Sequence, residues 1–380
     1  MKSMIFSPLS LPAVLLTAVT IVFYLTGLFH LAGVFLQWKR ISQLRYQSLE
    51  KNQIPVTVIV CAHNELANLQ KNLPPILNQQ NSTFEVLIGL DRCNDGSKEW
   101  LQRQSHPHLK WIEIDQTPEG WDSKKYALNQ CIQRAASDWL LLTDADCVPV
   151  SDYWLQSFQS LFAADINLVI GLGPYHATHN FISKITEYET LLTATQYVSE
   201  TIAGRPYMAI GRNVAYRKSL FQEVAGFDGI QHITGGDDDL LIQKMDSIAR
   251  PAVNIHPKSL TYSEPERTWK KYLTQKTRHL SVGKHYKEKF QKRLSFHSGI
   301  HSSLWLSCLY LIGFSDNPWR IIVPFALLVL IKGLFFKKIA SKTGLPLRVA
   351  WYPLMDIMYA IFLPLVAIRA MLERNIRWKK

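Results

Sequence analysis

Short apolar segments alternate with polar stretches between residues 56 and 143 of this chain. Four of them are rich in β-branched and other apolar residues: VTVIVC at 56–61, EVLIGL at 85–90, LKWIEI at 109–114 and WLLLT at 139–143. Strands that are covered on both faces of a parallel sheet have this nearly continuous apolar pattern. The pattern therefore predicts four buried, parallel strands.

The stretches between these segments have the spacing of amphipathic helices. The residues that share a helical face are Leu66, Leu69, Leu73 and Leu77 in one stretch, and Leu128, Cys131, Ile132 and Ala135 in another. Strands that alternate with helices form right-handed crossover units. We therefore predict an α/β fold with a doubly wound, mostly parallel sheet.

The N-terminal segment 11–36 contains no Asp, Glu, Lys or Arg. A helix of roughly 26 residues is long enough to cross a hydrocarbon core that is about 30 Å thick. A cleaved signal peptide is the alternative, but its apolar core spans about 7–15 residues and ends at small residues, whereas QWKR follows here. We favour an uncleaved transmembrane anchor.

Lys39, Arg40 and Arg45 follow this anchor, and positive charge next to a span favours the cytoplasmic side. We therefore place the central region in the cytoplasm. The predicted organisation is an anchor with a juxtamembrane linker at 1–52, a cytosolic domain at 53–290, and a C-terminal membrane region at 291–380.

Three further apolar segments, at 298–315, 319–336 and 349–368, predict a multi-pass protein of the cell membrane. If all three crossed the bilayer, the basic tail RNIRWKK would lie outside, against the same charge rule. One segment is therefore expected to be re-entrant or interfacial. We expect it to be the last, which Pro353, Asp356 and Pro364 interrupt.

Composition excludes several classes of protein. The 380 residues are 47% hydrophobic and 19% charged, which rules out a disordered or collagen-like chain. The five cysteines form no C-x-x-C pair, so neither a zinc knuckle nor a disulfide framework is indicated. The formal net charge of +12 fits a position beside an anionic membrane leaflet.

Polar residues follow each predicted strand: HNE the first, DRCNDGS the second, DQTPEGWDSKK the third and DADC the fourth. The carboxyl ends of parallel strands meet at one edge of a sheet, where such folds bind ligands. One polar loop means little, and DGS alone is typical of a turn. However, Asp91, Asp95, Asp144 and Asp146 at one rim require a cation or hydrogen-bond donors between them.

Asp144 and Asp146 are separated by one residue, so on extended backbone both carboxylates face the same volume. Two carboxylates with open coordination positions suit Mg²⁺ or Mn²⁺ together with substrate phosphates. The chain has neither G-x-x-x-x-G-K-[ST] nor a G-x-G-x-x-G after the first strand, which argues against ATPases and dinucleotide-binding folds. The pattern predicts a nucleotide-diphosphate site built on acids and a metal ion.

Seven segments, in this order, resemble the family-2 glycosyltransferases of the GT-A fold: VIVCAHNE, LDRCNDGS, WDSKKYALN, TDADCVP, GRNVAYRKSLFQEVAGF, GGDDDLL and QKTRHL. The resemblance covers residues 55–283. The apolar segments at both ends are similar to those of the membrane-embedded members, the processive polysaccharide synthases and the ceramide glucosyltransferases. A lone D-x-D is a weak motif, whereas seven ordered segments are specific.

The resemblance implies roles for residues on the nucleoside side of the donor site. Asn64 and Glu65 belong to the donor site by this comparison, Asp91 contacts the nucleotide base, and Asp95 lies against the nucleoside. The segment HNE departs from the family's x-R/Y-N-E, so the comparison gives no role to His63.

The resemblance also implies roles near the phosphates and the sugar. Lys124 lies near the base or phosphates, Asp144 contacts the ribose or the metal, and Asp146 coordinates the metal. Gly211 begins an acceptor-side strand and lets the backbone approach the donor sugar, although a simple turn is the alternative.

Inverting transfer needs a carboxylate that removes the proton of the acceptor hydroxyl. GGDDDLL offers Asp237, Asp238 and Asp239 at the start of a predicted helix, where acids also cap free N–H groups. The resemblance implies that Asp238 is the base. Asp237 replaces the usual glutamate and hydrogen-bonds the acceptor or a neighbouring group, and Asp239 is assigned to the acceptor side.

The segment QKTRHL resembles the Q-x-x-R-W motif of processive synthases, with His279 where tryptophan would stack on the sugar chain. Arg278 fits binding of the leaving diphosphate, because a guanidinium binds phosphate oxygens bidentately. We place Gln275 and His279 on the acceptor side. The missing tryptophan favours the addition of one sugar, or few, over polymerisation.

Residues 270–293 contain nine Lys or Arg and one Glu. Nucleic acid binding is one interpretation, but no nucleic-acid-binding motif accompanies this segment. Because an apolar segment follows it, we favour an amphipathic helix on the anionic cytoplasmic leaflet, and nucleic acid is not an expected partner.

Together these patterns predict a membrane-bound inverting glycosyltransferase that uses Mn²⁺ or Mg²⁺. It is expected to move a sugar from a nucleotide-diphosphate donor, with UDP-sugars favoured, to a lipid-linked or saccharide acceptor. A nucleotidyltransferase of related fold is one alternative, although it would hardly need GGDDDLL and QKTRH. A catalytically silent membrane scaffold is the other, and the complete set of acids argues against it.

Overall fold

A computed structural model describes residues 11–49, 54–80 and 83–372 of the chain. The basic tail at 374–380, on which the predicted topology depends, lies outside the described residues. The predicted boundary at residues 52 and 53 also lies outside them.

The strands follow one another along the chain as β1 (Val56–Ala62), β2 (Phe84–Asp91), β3 (Leu109–Ile114), β4 (Trp139–Asp144), β5 (Cys147–Pro149), β6 (Leu168–Ile170), β7 (Val214–Arg217), β8 (Pro251–Val253) and β9 (Thr261–Ser263). One sheet has the order β3-β2-β1-β4-β7-β6-β8, and β5 pairs with β9 in a small ribbon. The pairings among β1 to β4 are parallel, whereas β7 is antiparallel to β4 and β6. The predicted mostly parallel α/β sheet is confirmed.

The expectation that all four leading strands are buried is wrong for β3. Leu109, Trp111 and Ile112 are half-buried, and Lys110 and Glu113 are exposed. The physical reason is position, since β3 pairs only with β2 and forms the edge of the sheet.

The helices are α1 (Leu11–Gln43), α2 (Leu66–Leu77), α3 (Ser97–Gln102), α4 (Ser123–Arg134), α5 (Trp154–Gln159), α6 (Phe181–Ile202), α7 (Lys218–Glu223), α8 (Asp239–Met245), α9 (Trp269–Val282), α10 (Glu288–Phe314), α11 (Trp319–Thr343) and α12 (Tyr352–Leu372). Local sequence explains several of their ends. Asp122 caps α4 by accepting from Lys125 N at 3.2 Å, and Gly344 ends α11 in the left-handed conformation.

The sheet separates two apolar cores. On β1, Val56, Val58 and Val60 point into the core that α2 and α5 cover, whereas Ile59 points into the other. Successive strand residues alternate between faces, so one strand supplies both cores. The core that contains Ile59 continues through α6 into α10, α11 and α12, which joins the sheet domain to the apolar helices without a break.

Among the described residues, three helices are long and apolar enough to cross a membrane: Ala13–Gln43, Trp319–Thr343 and Val349–Leu372. α10 covers the apolar segment 298–315 up to Phe314 but is not among these three helices. The last segment forms one continuous helix, α12, which passes through Asp356 and Pro364. Its re-entrant or interfacial placement stays a prediction. Pro353 lies in the first turn of α12, where a missing N–H breaks no helical bond.

The basic segment 270–293 was expected to form one amphipathic helix, and the structure shows two. α9 ends at Val282, a 3₁₀ turn covers Gly283–His285, and α10 begins at Glu288. Further back in the chain, α7 ends at Glu223, and Ala225 and Gly226 after it both have positive φ.

Candidate active site

Asp144 and Asp146 lie at the carboxyl end of β4. Asp144 is the last residue of the strand, and Ala145 and Asp146 form a turn, so the extended backbone expected here is wrong. The turn nevertheless gathers oxygens of both carboxylates and the sulfur of Cys147 within 4.8 Å of one another. The two carboxylates therefore lie close together because the backbone turns after β4, and not because residues alternate along an extended strand.

The donor atoms of this group fit a hard divalent cation. Asp146 is exposed and Asp144 half-exposed, which leaves coordination positions open to water or phosphate oxygens. Cys147 is buried and its Sγ lies 3.3 Å from Asp146 Oδ1, as a donor to the carboxylate. Because thiolate sulfur suits softer metals, the two carboxylates are the candidate ligands for Mn²⁺ or Mg²⁺.

Lys124, at the start of α4, connects two acids from distant parts of the chain. Its Nζ lies 3.2 Å from Asp144 Oδ1 and 2.8 Å from Asp237 Oδ2. Burial alone would lower the pKa of Lys124, but the two carboxylates outweigh it and hold the pKa well above its ordinary value. The ammonium is therefore a permanent positive charge between the end of β4 and the acids before α8.

Asp237, Asp238 and Asp239 are consecutive, yet their environments differ. Burial raises the pKa of Asp237, but Lys124 outweighs it and the pKa lies below the ordinary value. Burial and the charge of Asp237 raise the pKa of Asp238. Burial and the charge of Asp238 raise the pKa of Asp239 well above the ordinary value. Lys124 thus stabilises Asp237 as a carboxylate, whereas Asp238 and Asp239 have raised pKa values and hold their protons more strongly.

Asp238 caps α8 and is fixed by two backbone bonds. Its Oδ1 accepts from Asp239 N at 2.8 Å, and its Oδ2 accepts from Gly211 N at 2.8 Å. A Cβ on Gly211 would lie 3.2 Å from Asp238 Oδ2, which is tighter than ordinary contact. The structure therefore places Gly211 directly against the candidate base.

Asp239 is hydrogen-bonded to a tyrosine outside α8. Its Oδ2 accepts from the hydroxyl of Tyr286, which lies in the short link between α9 and α10. Its Oδ1 is buried and has no hydrogen-bond partner among the described residues. Asp239 thus connects the start of α8 to the approach to the apolar helices.

Asp91 is the last residue of β2 and is almost fully buried. Its carboxylate accepts from Arg92 Nε at 2.8 Å and Nη2 at 3.0 Å. Arg92 has a φ of 48°, and this left-handed turn folds its guanidinium back onto the preceding residue. Arg92 supplies the donors that the crowded acids were expected to need, and the sequence reasoning missed it.

Asn64, Glu65 and Asp95 lie at the neighbouring strand end. Asp95 accepts from Leu66 N at 2.7 Å and from Ser97 N at 3.1 Å, so one carboxylate serves the first turns of both α2 and α3. Asn64 Oδ1 accepts from Asn94 N at 2.9 Å, and Glu65 Oε2 accepts from Asn68 Nδ2 at 2.5 Å. These bonds fix the rim of the candidate nucleoside side.

Arg212 is a further cation that the sequence reasoning did not single out. Its Nη1 donates to Tyr175 Oη at 3.2 Å, and its guanidinium carbon lies 4.4 Å from the centre of that ring. Its Nε is buried without a hydrogen-bond partner among the described residues. The sequence signal for this cation was an arginine immediately after Gly211. The orientation of its side chain, however, depends on contacts with Tyr175, which is distant in sequence.

Gln275, Arg278 and His279 lie on α9, and the structure shows no direct bond between them and the acids at the sheet edge. Arg278 is half-buried and forms no ion pair with any described residue. The neighbouring Lys276 instead fixes the helix, because its Nζ lies 2.5 Å from Glu189 Oε2 of α6. The guanidinium of Arg278 therefore has no carboxylate partner among the described residues, while the ion pair of Lys276 holds α9 against α6.

Comparison with known proteins places this site in a family. The family model described as "Glycosyltransferase like family 2" matches residues 53–281. The 4,4'-diaponeurosporenoate glycosyltransferase of Staphylococcus aureus strain USA300 is 25% identical over 167 residues, which are 41% of this chain and 41% of that protein. The chain thus matches about two fifths of the length of these curated relatives.

Solved structures are similar in fold. The mannosyltransferase PcManGT from Pyrobaculum calidifontis, in complex with GDP-Man and Mn²⁺, has a TM-score of 0.58 and 17% identity, covering 96% of this chain and 100% of its own. S. aureus TarS 1–349 has a TM-score of 0.42 and 12% identity, covering 86% of this chain and 94% of its own. The first of these supports a shared fold.

Proposed function

This chain belongs to the glycosyltransferase-like family 2, and on that premise we propose a membrane-bound, metal-dependent, inverting glycosyltransferase. Its donor is a nucleotide-diphosphate sugar, with UDP-sugars favoured. Its acceptor is a lipid-linked or saccharide hydroxyl presented at the membrane.

One observation carries this proposal: Lys124 contacts both Asp144 and Asp237. Two carboxylates beside a diphosphate would repel it unless positive charge stands among them. A buried ammonium that joins the two acidic groups keeps the donor side and the proton-accepting side in one fixed geometry. Such preorganised charge is where enzymes obtain much of their transition-state stabilisation.

The donor side consists of Asp144 and Asp146, which would hold Mn²⁺ or Mg²⁺. When bound, the cation supplies charge that neutralises the diphosphate of the donor and of the leaving group. Arg278 and Arg212 are the candidate cations for the same phosphate oxygens, because neither is paired with a carboxylate among the described residues. Asn64, Glu65, Asp91 and Asp95 form the nucleoside side.

We assign Asp238 to the acceptor side as the base, together with Asp237, Asp239, Gln275 and His279. Inversion requires the acceptor oxygen to attack the anomeric carbon opposite the leaving diphosphate while a base takes its proton. The raised pKa of Asp238, caused first by burial, makes its carboxylate a stronger base than an exposed aspartate. Gly211 N and Asp239 N orient the carboxylate for this step.

Membrane action is supported by three described helices that are apolar and long enough to cross a bilayer. The charges after the first of them favour a cytoplasmic catalytic domain. The S. aureus relative is a 4,4'-diaponeurosporenoate glycosyltransferase, and the structure of PcManGT is a complex with GDP-Man and Mn²⁺. Both justify testing GDP-sugars beside UDP-sugars, and membrane extracts as the acceptor source.

The test is an activity panel on the full chain in detergent. UDP-glucose, UDP-N-acetylglucosamine and GDP-mannose are incubated with Mn²⁺, with Mg²⁺ or with EDTA, each with and without a membrane lipid extract. We expect cation-dependent release of a nucleoside diphosphate from one donor, stimulated by the extract. Release of pyrophosphate would favour the nucleotidyltransferase, and no turnover together with no nucleotide binding would favour the silent scaffold.

A further inference from the structure

Lys125 is a buried lysine next to Lys124, and no carboxylate lies within ion-pair distance of its ammonium among the described residues. Its Nζ donates to Ile230 O at 3.0 Å, Ile233 O at 2.5 Å and Gly235 O at 2.6 Å. An ammonium has three donors, so all three are used on one loop. We call residues 230–236 the base loop, because Asp237 and Asp238 follow it directly.

A second contact joins the base loop to the same end of α4. Asp122 caps the helix, and its own N–H donates to Gln231 O at 2.7 Å. The base loop therefore lies on the N-terminal end of α4, with its carbonyls gathered around Lys125. Lys124, one residue earlier on the helix, forms an ion pair with Asp237, with its Nζ 2.8 Å from Asp237 Oδ2.

The backbone of the base loop is suited to this wrapping. Gly235 and Gly236 have φ values of +79° and +71°, a conformation that side chains other than glycine rarely adopt. A Cβ on Gly236 would lie 2.8 Å from both Leu240 and Val282. The two glycines turn the chain from the lysine into α8, where Asp238 is the cap.

We propose that Lys125 is a positioning residue for the candidate base: it holds the base loop so that Asp238 stays in place for proton removal. The inference rests on the proposed function. Lys125 touches neither Asp144 nor Asp146, so it is expected to affect the acceptor step while leaving donor binding intact.

Lys218 offers a matched control. Its Nζ also donates to backbone carbonyls, Gln133 O at 2.9 Å and Ala135 O at 3.1 Å, but at the opposite end of α4. Lys125→Met and Lys218→Met thus remove the same kind of contact from the two ends of one helix. Lys125→Gln, which keeps an amide donor, serves if the methionine variant does not fold.

The experiment compares these variants with the wild type as full chains in detergent. We expect Lys125→Met to lower kcat by about 10²-fold, the effect of displacing a reacting group by about 1 Å. The donor KM and the affinity for UDP or GDP with Mn²⁺ should change less than about twofold, because Lys125 contacts no residue of the donor side. Lys218→Met should retain wild-type kcat.

Hydrogen–deuterium exchange gives a readout that does not depend on turnover. Peptides covering the base loop should exchange faster in Lys125→Met, whereas peptides covering β1 and β4 should not change. The inference is overturned if kcat in Lys125→Met equals that of Lys218→Met, or if nucleotide affinity and kcat fall together. A different result would refute the proposed function alone: the wild type transfers no sugar, but the base loop exchanges faster in Lys125→Met than in the wild type.

Discussion

Lys124 Nζ lies 2.8 Å from Asp237 Oδ2, although 113 positions of sequence, the difference between 124 and 237, separate the two residues. The same ammonium lies 3.2 Å from Asp144 Oδ1. A single side chain therefore connects the candidate metal ligands with the acids that precede α8.

Lys124→Met is expected to lower turnover by about 10²-fold, the usual cost of removing one preorganised charge from a transition state. The variant leaves Asp144 and Asp237 facing each other without the intervening cation, so donor affinity should fall as well. Steady-state kinetics and calorimetric titration with UDP or GDP in Mn²⁺ measure the two effects. Lys124→Arg, which keeps the charge, should recover part of both, and an unchanged kcat in Lys124→Met would contradict the proposed arrangement.

Asp238→Asn is expected to lower kcat by roughly 10²–10⁴-fold, because an amide cannot accept the acceptor proton. The single amide oxygen can keep only one of the two bonds that Asp238 accepts from Gly211 N and Asp239 N. Donor binding should nevertheless persist, because the candidate metal ligands are Asp144 and Asp146. Asp228→Asn is the matched control, because Asp228 is an exposed aspartate outside the site. Retained turnover in Asp238→Asn would remove Asp238 from the role of base.

Activity should depend on pH in a direction set by Asp238. Burial, and then the charge of Asp237, raise the pKa of Asp238 above the ordinary value of 3.8. The base works only when ionised, so kcat/KM should fall as the pH drops through this raised value, and the acid limb should lie above 3.8.

The residual activity of Asp237→Asn sharpens this test. Removing the charge of Asp237 withdraws one cause of the raised pKa, so the acid limb should move to lower pH. A limb that stays in place, or moves upward, would show that a group other than Asp238 governs it.

Removal of divalent cation should abolish turnover. Asp146→Asn should weaken the binding of Mn²⁺ while the protein remains folded. Asp146 is exposed, so the loss of its charge costs little stability. Direct titration of Mn²⁺, followed by electron paramagnetic resonance, measures the affinity. Full activity in EDTA would contradict a metal-dependent mechanism.

Asp356 and Lys332 form a buried pair between α12 and α11. Lys332 Nζ lies 3.1 Å and 3.0 Å from the two oxygens of Asp356, which also accept from Tyr188 Oη at 2.6 Å and Trp305 Nε1 at 2.9 Å. Lys332→Met should destabilise the protein by roughly 3–5 kcal/mol, because it leaves a buried carboxylate without its counter-charge.

The double variant Lys332→Met/Asp356→Asn should be more stable than Lys332→Met, since it leaves no uncompensated charge. Lys337→Met, on the exposed face of α11, serves as the control. Thermal unfolding in detergent measures all three. A double variant less stable than either single one would show that the pair does more than cancel its own charges.

Hydrophobic patterning alone predicted the mostly parallel sheet and the apolar helices at both ends, because burial on two faces and contact with lipid each impose a composition. It also predicted which strand ends carry acids. Asp91 and Asp144 are the last residues of β2 and β4, so their placement follows from where the apolar runs stop.

Tertiary structure decided the rest. The sequence could not show that β3 is an edge strand, that Asp356 is satisfied by Lys332, or that Asp144 and Asp146 converge through a turn. It also could not show that Lys124 stabilises Asp237 as a carboxylate while Asp238 and Asp239 hold their protons more strongly. Pairing, burial and pKa depend on which distant residues meet in space, and local pattern constrains only neighbours along the chain.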